Sequence, residues 1–122
     1  MGDLSAHFSR SEFACTCGCG YAMPKQSLVD ALEELRAIAG QTLTISGPLR
    51  CETHNASIPN SASNSRHLPI YADGVDVKIY GLLGVQIAAL AEQVPAFSIG
   101  GIGIYWNRCH VDTRPGRARW NG

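Results

Sequence analysis

The sequence predicts an α+β protein in which helices pack on a small antiparallel sheet. Three observations support this prediction: apolar residues recur at helical spacing from Leu28 to Ala39, the stretch "GVDVKIY" alternates apolar with polar residues, and "CHVDT" has the pattern of a further strand. The predicted order is two helices, a strand, a long loop, a strand, a helix and two strands. We expect residues 1–122 to form one domain, because a chain of this length has little room for a second.

The helices are indicated by end signals and by apolar spacing. The stretch "SRSE" at Ser9 to Glu12 is a capping box that opens a short helix. Pro24 suits the first turn of the next helix, and Gly40 is placed to end it. The later stretch "LLGVQIAALAEQV" carries an apolar stripe and predicts the remaining helix.

The strands are short, and the longest connection follows the first of them. The stretch "LTIS" predicts that first strand, and "FSIGGIGIYW" predicts a glycine-rich one. In "GVDVKIY" the apolar residues from Val75 to Ile79 share one face, while Asp76 and Lys78 share the other. Residues 51–66 are rich in Asn, Ser and Pro and predict a loop of about sixteen residues, a length that is usually functional or disordered in a compact domain.

The composition argues against some classes of function. Lys and Arg together number ten, as do Asp and Glu, so the formal net charge is zero. That balance argues against a protein that mainly binds nucleic acid phosphates. The sequence shows no signal peptide and no apolar run of membrane-spanning length, so we expect synthesis in the cytoplasm and no membrane partner. We also expect a monomer.

Histidines and aspartates are placed where they can share a metal ion. His67 ends the long loop and is followed by Asp73 and Asp76, while His110 and Asp112 lie two apart on a predicted strand and point to the same face. A catalytic zinc takes three protein ligands from His and Asp or Glu and keeps one open position for water. His67, one of the two aspartates and His110 would supply that set, although the spacing alone is a weak signal.

Longer stretches around these residues resemble a known family. They are "SGPLRCETHN", "SRHLPIYADGVDVKI" and "GGIGIYWNRCHVDTRPGRARW". They resemble the zinc D-Ala-D-Ala carboxypeptidases, bacterial and phage cell-wall metallopeptidases that share their fold with the hedgehog signalling domain. The family pattern runs SGYRS or SGYRC, then SxHxxGxAxD, then GGxGxY, HxD and RW. The opening "HFSRSEFACTCGCG" and the helix "LVDALEELRAIAG" also match, so the resemblance covers nearly the whole chain.

The resemblance implies a zinc site formed by His67, Asp76 and His110. Ser65 stands two residues before His67, as in the SxH element, and is a candidate substrate contact. Asp76 matches the family aspartate because that ligand begins a strand, whereas Asp73 reads as a turn residue. His67 and Asp76 are nine positions apart instead of the usual seven, so Asp73 remains a competitor.

Two further residues are implied as catalytic. Arg50 matches the arginine of SGYR, which in the family faces the substrate, and a guanidinium can donate two hydrogen bonds to an oxyanion. The tyrosine of that motif is absent. Some relatives carry Glu or Asp three residues before the last ligand, where this chain has Asn107. Asp112 is therefore either the general base or a residue that orients a ligand histidine.

These matches imply a zinc peptidase that hydrolyses peptide bonds of peptidoglycan. The reaction would be that of a D-Ala-D-Ala-type carboxypeptidase or of a cross-link endopeptidase. A phage or prophage protein that acts on the cell wall would fit the missing export signal. The alternative is a non-catalytic, zinc-containing module that binds a wall peptide or a protein, and Asn107 keeps that alternative open.

The stretch "FACTCGCGY" holds Cys15, Cys17 and Cys19. Structural zinc sites usually show paired CxxC elements, and cysteines at alternate positions do not easily all reach one ion. The resemblance places the stretch beside Cys51, so we interpret it as a turn that anchors the N-terminus by packing or a disulfide, rather than as a second metal site. The arginine-rich stretch 114–119 is interpreted as a solvated tail.

Overall fold

Helices precede and interrupt a sheet whose strands come mainly from the second half of the chain. The computed structural model describes residues 2–59, 62 and 64–122. The helices are a 3-10 helix at Arg10–Phe13 and α-helices α1 (Gln26–Ala39), α2 (Glu52–Ser57), α3 (Gly84–Ala91) and α4 (Pro95–Ser98). The strands are β1 (Leu43–Gly47), β2 (Gly74–Ile79), β3 (Gly101–Ile104), β4 (Cys109–Asp112) and β5 (Ala118–Asn121).

In the described part of the chain the strands form a five-stranded sheet with the order β1-β2-β4-β3-β5. The pairs β1/β2, β2/β4 and β3/β4 are antiparallel, and the edge pair β3/β5 is parallel. The predicted α+β class is confirmed. The sheet is mixed rather than wholly antiparallel, because β5 runs back alongside β3 after the chain has left β4.

The alternation of the strands gives the sheet two chemically different faces. One face is apolar and fully buried; its members include Val75, Val77, Ile102, Cys109 and Val111. The opposite face carries the polar residues that alternate with them, which include Asp76, His110 and Asp112. The predicted split of "GVDVKIY" into an apolar and a polar face is therefore present in the structure.

Helices α1 and α3 cover the apolar face. Leu28, Leu32 and Leu35 of α1 lie in one buried cluster with the inward residues of the strands. The helix ends as predicted at Gly40, which adopts a left-handed conformation (φ 69°) that glycine reaches without a steric penalty. Within the described residues no helix has the length and apolarity needed to cross a bilayer.

The predicted loop 51–66 is wrong in part, because residues Glu52–Ser57 form helix α2. Cys51 caps this helix: its sulfur accepts a hydrogen bond from the His54 amide at 3.4 Å. A cysteine is an uncommon N-cap, so the sequence carried no ordinary start signal for the helix. Positions 60, 61 and 63 of the predicted loop lie outside the described residues.

Two predictions near the C-terminus are also wrong. Phe97 and Ser98 belong to α4, which begins with Pro95 at its first turn, and not to the glycine-rich strand, which starts only at Gly101. The predicted solvated tail includes the start of strand β5, whose Arg119 forms an ion pair with Glu92 at 2.8 Å. The arginines of this stretch favoured a solvated tail over a strand. An edge strand can nevertheless carry charged side chains that point outward.

Candidate metal centre

Three side chains on the polar face of the sheet converge on one point. Asp76 Oδ1 lies 3.2 Å from His110 Nδ1 and 3.6 Å from His67 Nε2. One ligand atom from each of the three residues lies within 4.8 Å of the other two. They line a cavity of about 400 Å³, so the cluster faces open space on one side.

His67 is oriented by the chain that precedes α2. Its Nδ1 lies 2.8 Å from the carbonyl oxygen of Pro48. A carbonyl only accepts hydrogen bonds, so Nδ1 carries the proton and Nε2 presents a lone pair towards Asp76. The Ser65 hydroxyl, predicted as a substrate contact, lines the cavity and accepts a hydrogen bond from the His67 amide at 3.3 Å.

His110 is oriented by Asp112, two residues further along β4. Its Nε2 lies 2.7 Å from Asp112 Oδ2. Strand alternation places both side chains on the same face, as expected from the sequence. Because the carboxylate accepts from Nε2, the other ring nitrogen, Nδ1, is the atom left to face Asp76 and the cavity.

Asp112 has no accessible surface, and its oxygens are occupied by donors. Oδ1 accepts from the Gly101 amide at 2.9 Å and from the Arg114 amide at 3.1 Å. The Arg114 guanidinium adds a contact from Nη2 to Oδ2 at 2.7 Å. A carboxylate held in this way has no free position for a water molecule in the cavity, so the geometry favours the orienting role over that of general base.

A row of residues crosses the whole sheet at the level of the cluster. Following the strand order, the register aligns Gly47, Asp76, His110, Gly103 and Trp120. A Cβ at Gly47 would overlap the Asp76 carboxylate, and one at Gly103 would overlap the Trp120 indole. The two glycines therefore leave room for large neighbours, and the Trp120 ring packs on His110 with centroids 5.0 Å apart.

Burial and hydrogen bonding shift the pKa values of the cluster in different directions. Burial lowers the pKa of His67 below its ordinary value, partly opposed by its hydrogen bond with Asp76. Burial would raise the pKa of Asp76, but hydrogen bonds with His110 and His67 hold it well below its usual range. Burial would lower the pKa of His110, but its hydrogen bonds with Asp112 and Asp76 raise it. Asp76 is therefore an anion that attracts a cation to this point.

The cluster fits the requirements of a zinc ion. Two imidazole nitrogens and one carboxylate oxygen are a donor set that catalytic zinc sites use. Tetrahedral zinc with bonds of about 2.0–2.1 Å separates its ligand atoms by about 3.3 Å. The two separations from Asp76 Oδ1, 3.2 and 3.6 Å, are close to that value.

Asp73, the predicted competitor of Asp76, lies outside the cluster. Its carboxylate is buried and forms a two-pronged ion pair with Arg66, with contacts of 2.9 Å from Nε and 2.6 Å from Nη2. Its backbone carbonyl also accepts from the Thr113 amide at 3.1 Å. The two-residue excess between His67 and Asp76 is absorbed by turns at 65–72, which allow Asp76 to enter β2 beside His110.

The cavity beside the cluster is rich in arginine. Arg50, expected from the sequence, lines it and donates to the neutral Asn55 Oδ1 at 3.1 Å. Arg108 also lines it, with Nε 3.9 Å from Asp76 Oδ2 and its guanidinium over the Tyr105 ring. Arg108 was not expected from the sequence, because no motif marks it; its position next to β4 and two residues before His110 was the available signal.

Comparison with known proteins supports a peptidase family. A family model described as Peptidase M15 matches residues 6–112, which is most of the chain. The match includes the three residues of the cluster. No curated protein and no solved structure matches the chain significantly.

Proposed function

The chain belongs to the peptidase M15 family of metallopeptidases, and from this premise we propose that it is a zinc-dependent peptidase that hydrolyses peptide bonds of peptidoglycan. The observation that carries the proposal is the convergence of His67, Asp76 and His110 at the floor of an open cavity. The family consists of zinc enzymes, and the donor set suits that ion.

In this proposal the ligands to zinc are His67 Nε2, an Asp76 oxygen and His110 Nδ1. A zinc ion held there would supply Lewis acidity, because it would lower the pKa of water towards about 7 and polarise a carbonyl. Asp112 acts through His110, since it fixes the ring so that Nδ1 faces the cavity. The Pro48 carbonyl has the same effect on His67. Hydrolysis then breaks the C–N bond of the substrate, leaves a hydroxyl on the acyl carbon and transfers a proton to the departing amine.

The charges of the cavity support a peptide that carries carboxylate groups. Arg66 and Arg114 are paired with Asp73 and Asp112, whereas the Arg50 guanidinium contacts a neutral amide. Arg50 can therefore bind a substrate carboxylate or the oxyanion that forms at the reacting carbonyl. Peptidoglycan stem peptides end in such a carboxylate, and we place Ser65 beside the bound peptide.

We extend the proposal to where the protein acts. Peptidoglycan as the substrate places the reaction at the bacterial cell wall, and a phage or prophage origin would bring the enzyme there. A D-Ala-D-Ala-type carboxypeptidase and a cross-link endopeptidase differ in whether the substrate carboxylate lies next to the broken bond. A carboxylate held by Arg50 close to the metal ligands favours the carboxypeptidase.

Digestion of purified peptidoglycan, with products identified by mass spectrometry, tests this function. We expect the wild-type protein to release D-Ala or to split cross-links. Chelator and His67→Ala should each abolish the products. His7→Ala is the matched control, because His7 lies outside the cavity and bonds to Glu33. A wild-type protein that carries zinc and leaves the wall intact would contradict the proposed activity.

One observation favours a second candidate, a zinc-containing module that binds a wall peptide or a protein without cutting it. Among the described residues that line the cavity, Asp76 is the only carboxylate, and a peptidase needs a group that moves the proton of water. In that case the wild-type protein would retain wall peptides in a pull-down, in a zinc-dependent manner, without releasing products.

A further inference from the structure

A second cluster of metal-binding atoms includes Cys51, the residue that follows Arg50. The sulfurs of Cys15, Cys17, Cys19 and Cys51 all lie within 4.8 Å of one another. Cys15 Sγ is 3.3 Å from Cys17 Sγ and 3.9 Å from Cys51 Sγ, and the Cys17 and Cys51 sulfurs are 3.6 Å apart. All four side chains are free thiols in this structure.

The backbone of the first three cysteines explains how alternate positions reach one point. In an extended strand, the Cα atoms of residues two positions apart are separated by roughly 6.7 Å, and their side chains, including the sulfurs, would be spaced similarly. Here the segment is a closed loop, because the Cys15 amide donates to the Tyr21 carbonyl at 2.8 Å. Gly18 and Gly20 turn the chain with φ values of 84° and 85°, which side chains other than glycine rarely adopt. The expectation that cysteines at alternate positions do not easily all reach one point is therefore wrong for this loop.

The fourth cysteine arrives from a different part of the chain. Cys51 is the N-cap of α2, and its sulfur accepts from the His54 amide. Two contacts hold the segments together: the Leu49 amide donates to the Phe13 carbonyl at 3.2 Å, and His54 Nε2 lies 3.1 Å from Thr16 Oγ1. The cluster is therefore built as a binding site, because independent hydrogen bonds fix the cysteine loop and the start of α2 on either side of it.

The distances match a zinc ion better than a disulfide. Four thiolates around zinc, at about 2.3 Å from the ion, are separated from one another by about 3.8 Å. The three sulfur separations given above lie between 3.3 and 3.9 Å. A disulfide would bring two sulfurs to about 2.05 Å, which is shorter than each of these separations.

We propose that Cys15, Cys17, Cys19 and Cys51 bind a second zinc ion, which is structural. Four thiolates fill all positions of the ion, so this site has no open position for water and takes no part in hydrolysis. The burial of the cluster fits a site at the surface: Cys15 is buried, Cys51 is half-buried, and Cys17 and Cys19 are exposed.

The consequence of this site is the position of Arg50, the residue before Cys51. The Arg50 amide donates to the His67 carbonyl at 2.8 Å, and its guanidinium donates to Asn55 of α2. A metal that fixes Cys51 would hold both the start of α2 and the arginine at the wall of the cavity. The cysteine site would thus position a substrate-binding group without touching substrate.

Metal analysis of the protein purified without oxygen and with reductant tests the proposal. We expect two zinc ions per wild-type chain. His67→Ala should lose one of them and keep the other, and Cys51→Ser should do the reverse. Cys19→Ser, at an exposed position, covers the case in which Cys51→Ser does not fold. Cys109→Ala is the matched control, because Cys109 is buried in the sheet away from the cluster and should keep both ions.

Cobalt substitution identifies the ligands independently of activity. Cobalt at the cysteine site should give strong thiolate-to-metal charge-transfer absorption, which should persist in His67→Ala and disappear in Cys19→Ser. The proposal is overturned if the reduced wild-type protein binds one metal that His67→Ala removes, or if cobalt gives no thiolate absorption. Isolation of the reduced-purified protein with a disulfide among the four cysteines would also overturn it. The metal at the cysteine site is detected in His67→Ala, which lacks the His–Asp–His centre. The test therefore gives a result even if the protein has no peptidase activity.

Discussion

At the scale of single residues, the candidate centre depends on groups that do not touch the metal position. The Pro48 carbonyl and the Asp112 carboxylate each accept a hydrogen bond from one ring nitrogen of a histidine. Each contact turns the remaining nitrogen of its ring towards Asp76. Such partners fix the orientation of a ligand histidine and raise the basicity of its metal-binding nitrogen.

Asp112→Asn should weaken zinc binding at the His–Asp–His centre. The substitution removes the negative charge that holds the His110 ring, and loss of such a partner typically costs about 10–100-fold in metal affinity. Competition with a zinc-binding dye, in a Cys19→Ser background, measures that affinity. Asp73→Asn is the control, since Asp73 pairs with Arg66 outside the centre, and it should lower stability without changing zinc affinity. Equal affinities of wild type and Asp112→Asn would refute the orienting role.

Gly103→Ala should destabilise the fold and loosen the packing of Trp120 on His110. The added Cβ would overlap the indole, and overpacking of this kind costs about 1–3 kcal/mol in the free energy of unfolding. Urea denaturation measures this cost. The same substitution in a Trp120→Ala background should cost much less, because the clashing ring is gone. A cost that is the same in both backgrounds would mean that the indole is not the obstacle.

At the scale of elements, the N-terminal segment is tied to α1 by one carboxylate. Glu33 accepts hydrogen bonds from the Ser5 hydroxyl at 2.6 Å and from the His7 amide at 2.7 Å, and it also pairs with the His7 ring. Burial would raise the pKa of Glu33, but these hydrogen bonds and the His7 ring hold it below its ordinary value of 4.5. The segment therefore docks on α1 most firmly when Glu33 is ionised.

This shift predicts a pH dependence of stability. A carboxyl group with a depressed folded pKa stabilises the fold above its unfolded pKa and loses that contribution as the pH falls through the folded value. Glu33→Gln should therefore lower the free energy of unfolding by about 1–2 kcal/mol at pH 7. The difference from wild type should shrink as the pH falls below about 4.5. Denaturant unfolding across pH checks this, with the exposed neighbour Glu34→Gln as control; a difference that does not change with pH would contradict the assignment.

At the scale of the whole molecule, metal binding should couple to stability. A ligand that binds only the folded state stabilises it by about 2.7 kcal/mol at a free concentration one hundred times its Kd. Added zinc should therefore raise the melting temperature of the metal-depleted protein. His67→Ala should show a smaller rise in melting temperature, because zinc binding at the His–Asp–His centre no longer contributes. Added magnesium should have little effect on the wild-type protein, because magnesium prefers oxygen ligands. An identical rise in wild type and His67→Ala would exclude binding at this centre.

Much of the fold was predictable, because its main elements carry strong periodic patterns. Helix α1 with its Gly40 end, and the strands β1, β2 and β4, follow from apolar spacing and end signals. Helix α4 has four residues, about one helical turn, which is too few for a helical period to be recognised, and strand β5 lies in an arginine-rich stretch that favoured a solvated tail. The parallel pairing of β3 with β5 depends on contacts between distant segments, which local patterns do not encode.

The candidate centre was predictable in its chemistry but not in its support. His67, Asp76 and His110 are residue types with a known metal chemistry, so motifs single them out. The Pro48 carbonyl is a backbone group and carries no sequence signal. The convergence of the cysteines was not predicted for a different reason. Cysteines at alternate positions suggest an extended chain, whereas Gly18 and Gly20 bend this segment into a loop.

The glycines of the sheet also bear on which sequences can replace this one. Every single-nucleotide missense change of a glycine codon introduces a side chain that begins with a Cβ atom. At Gly47, Gly101 and Gly103 that atom would overlap Asp76, Asp112 and Trp120 in turn. In a library of all point variants, these three positions should tolerate substitution as poorly as the candidate metal ligands His67, Asp76 and His110. A descendant sequence that keeps the centre must therefore keep these glycines as well as the residues that supply its chemistry.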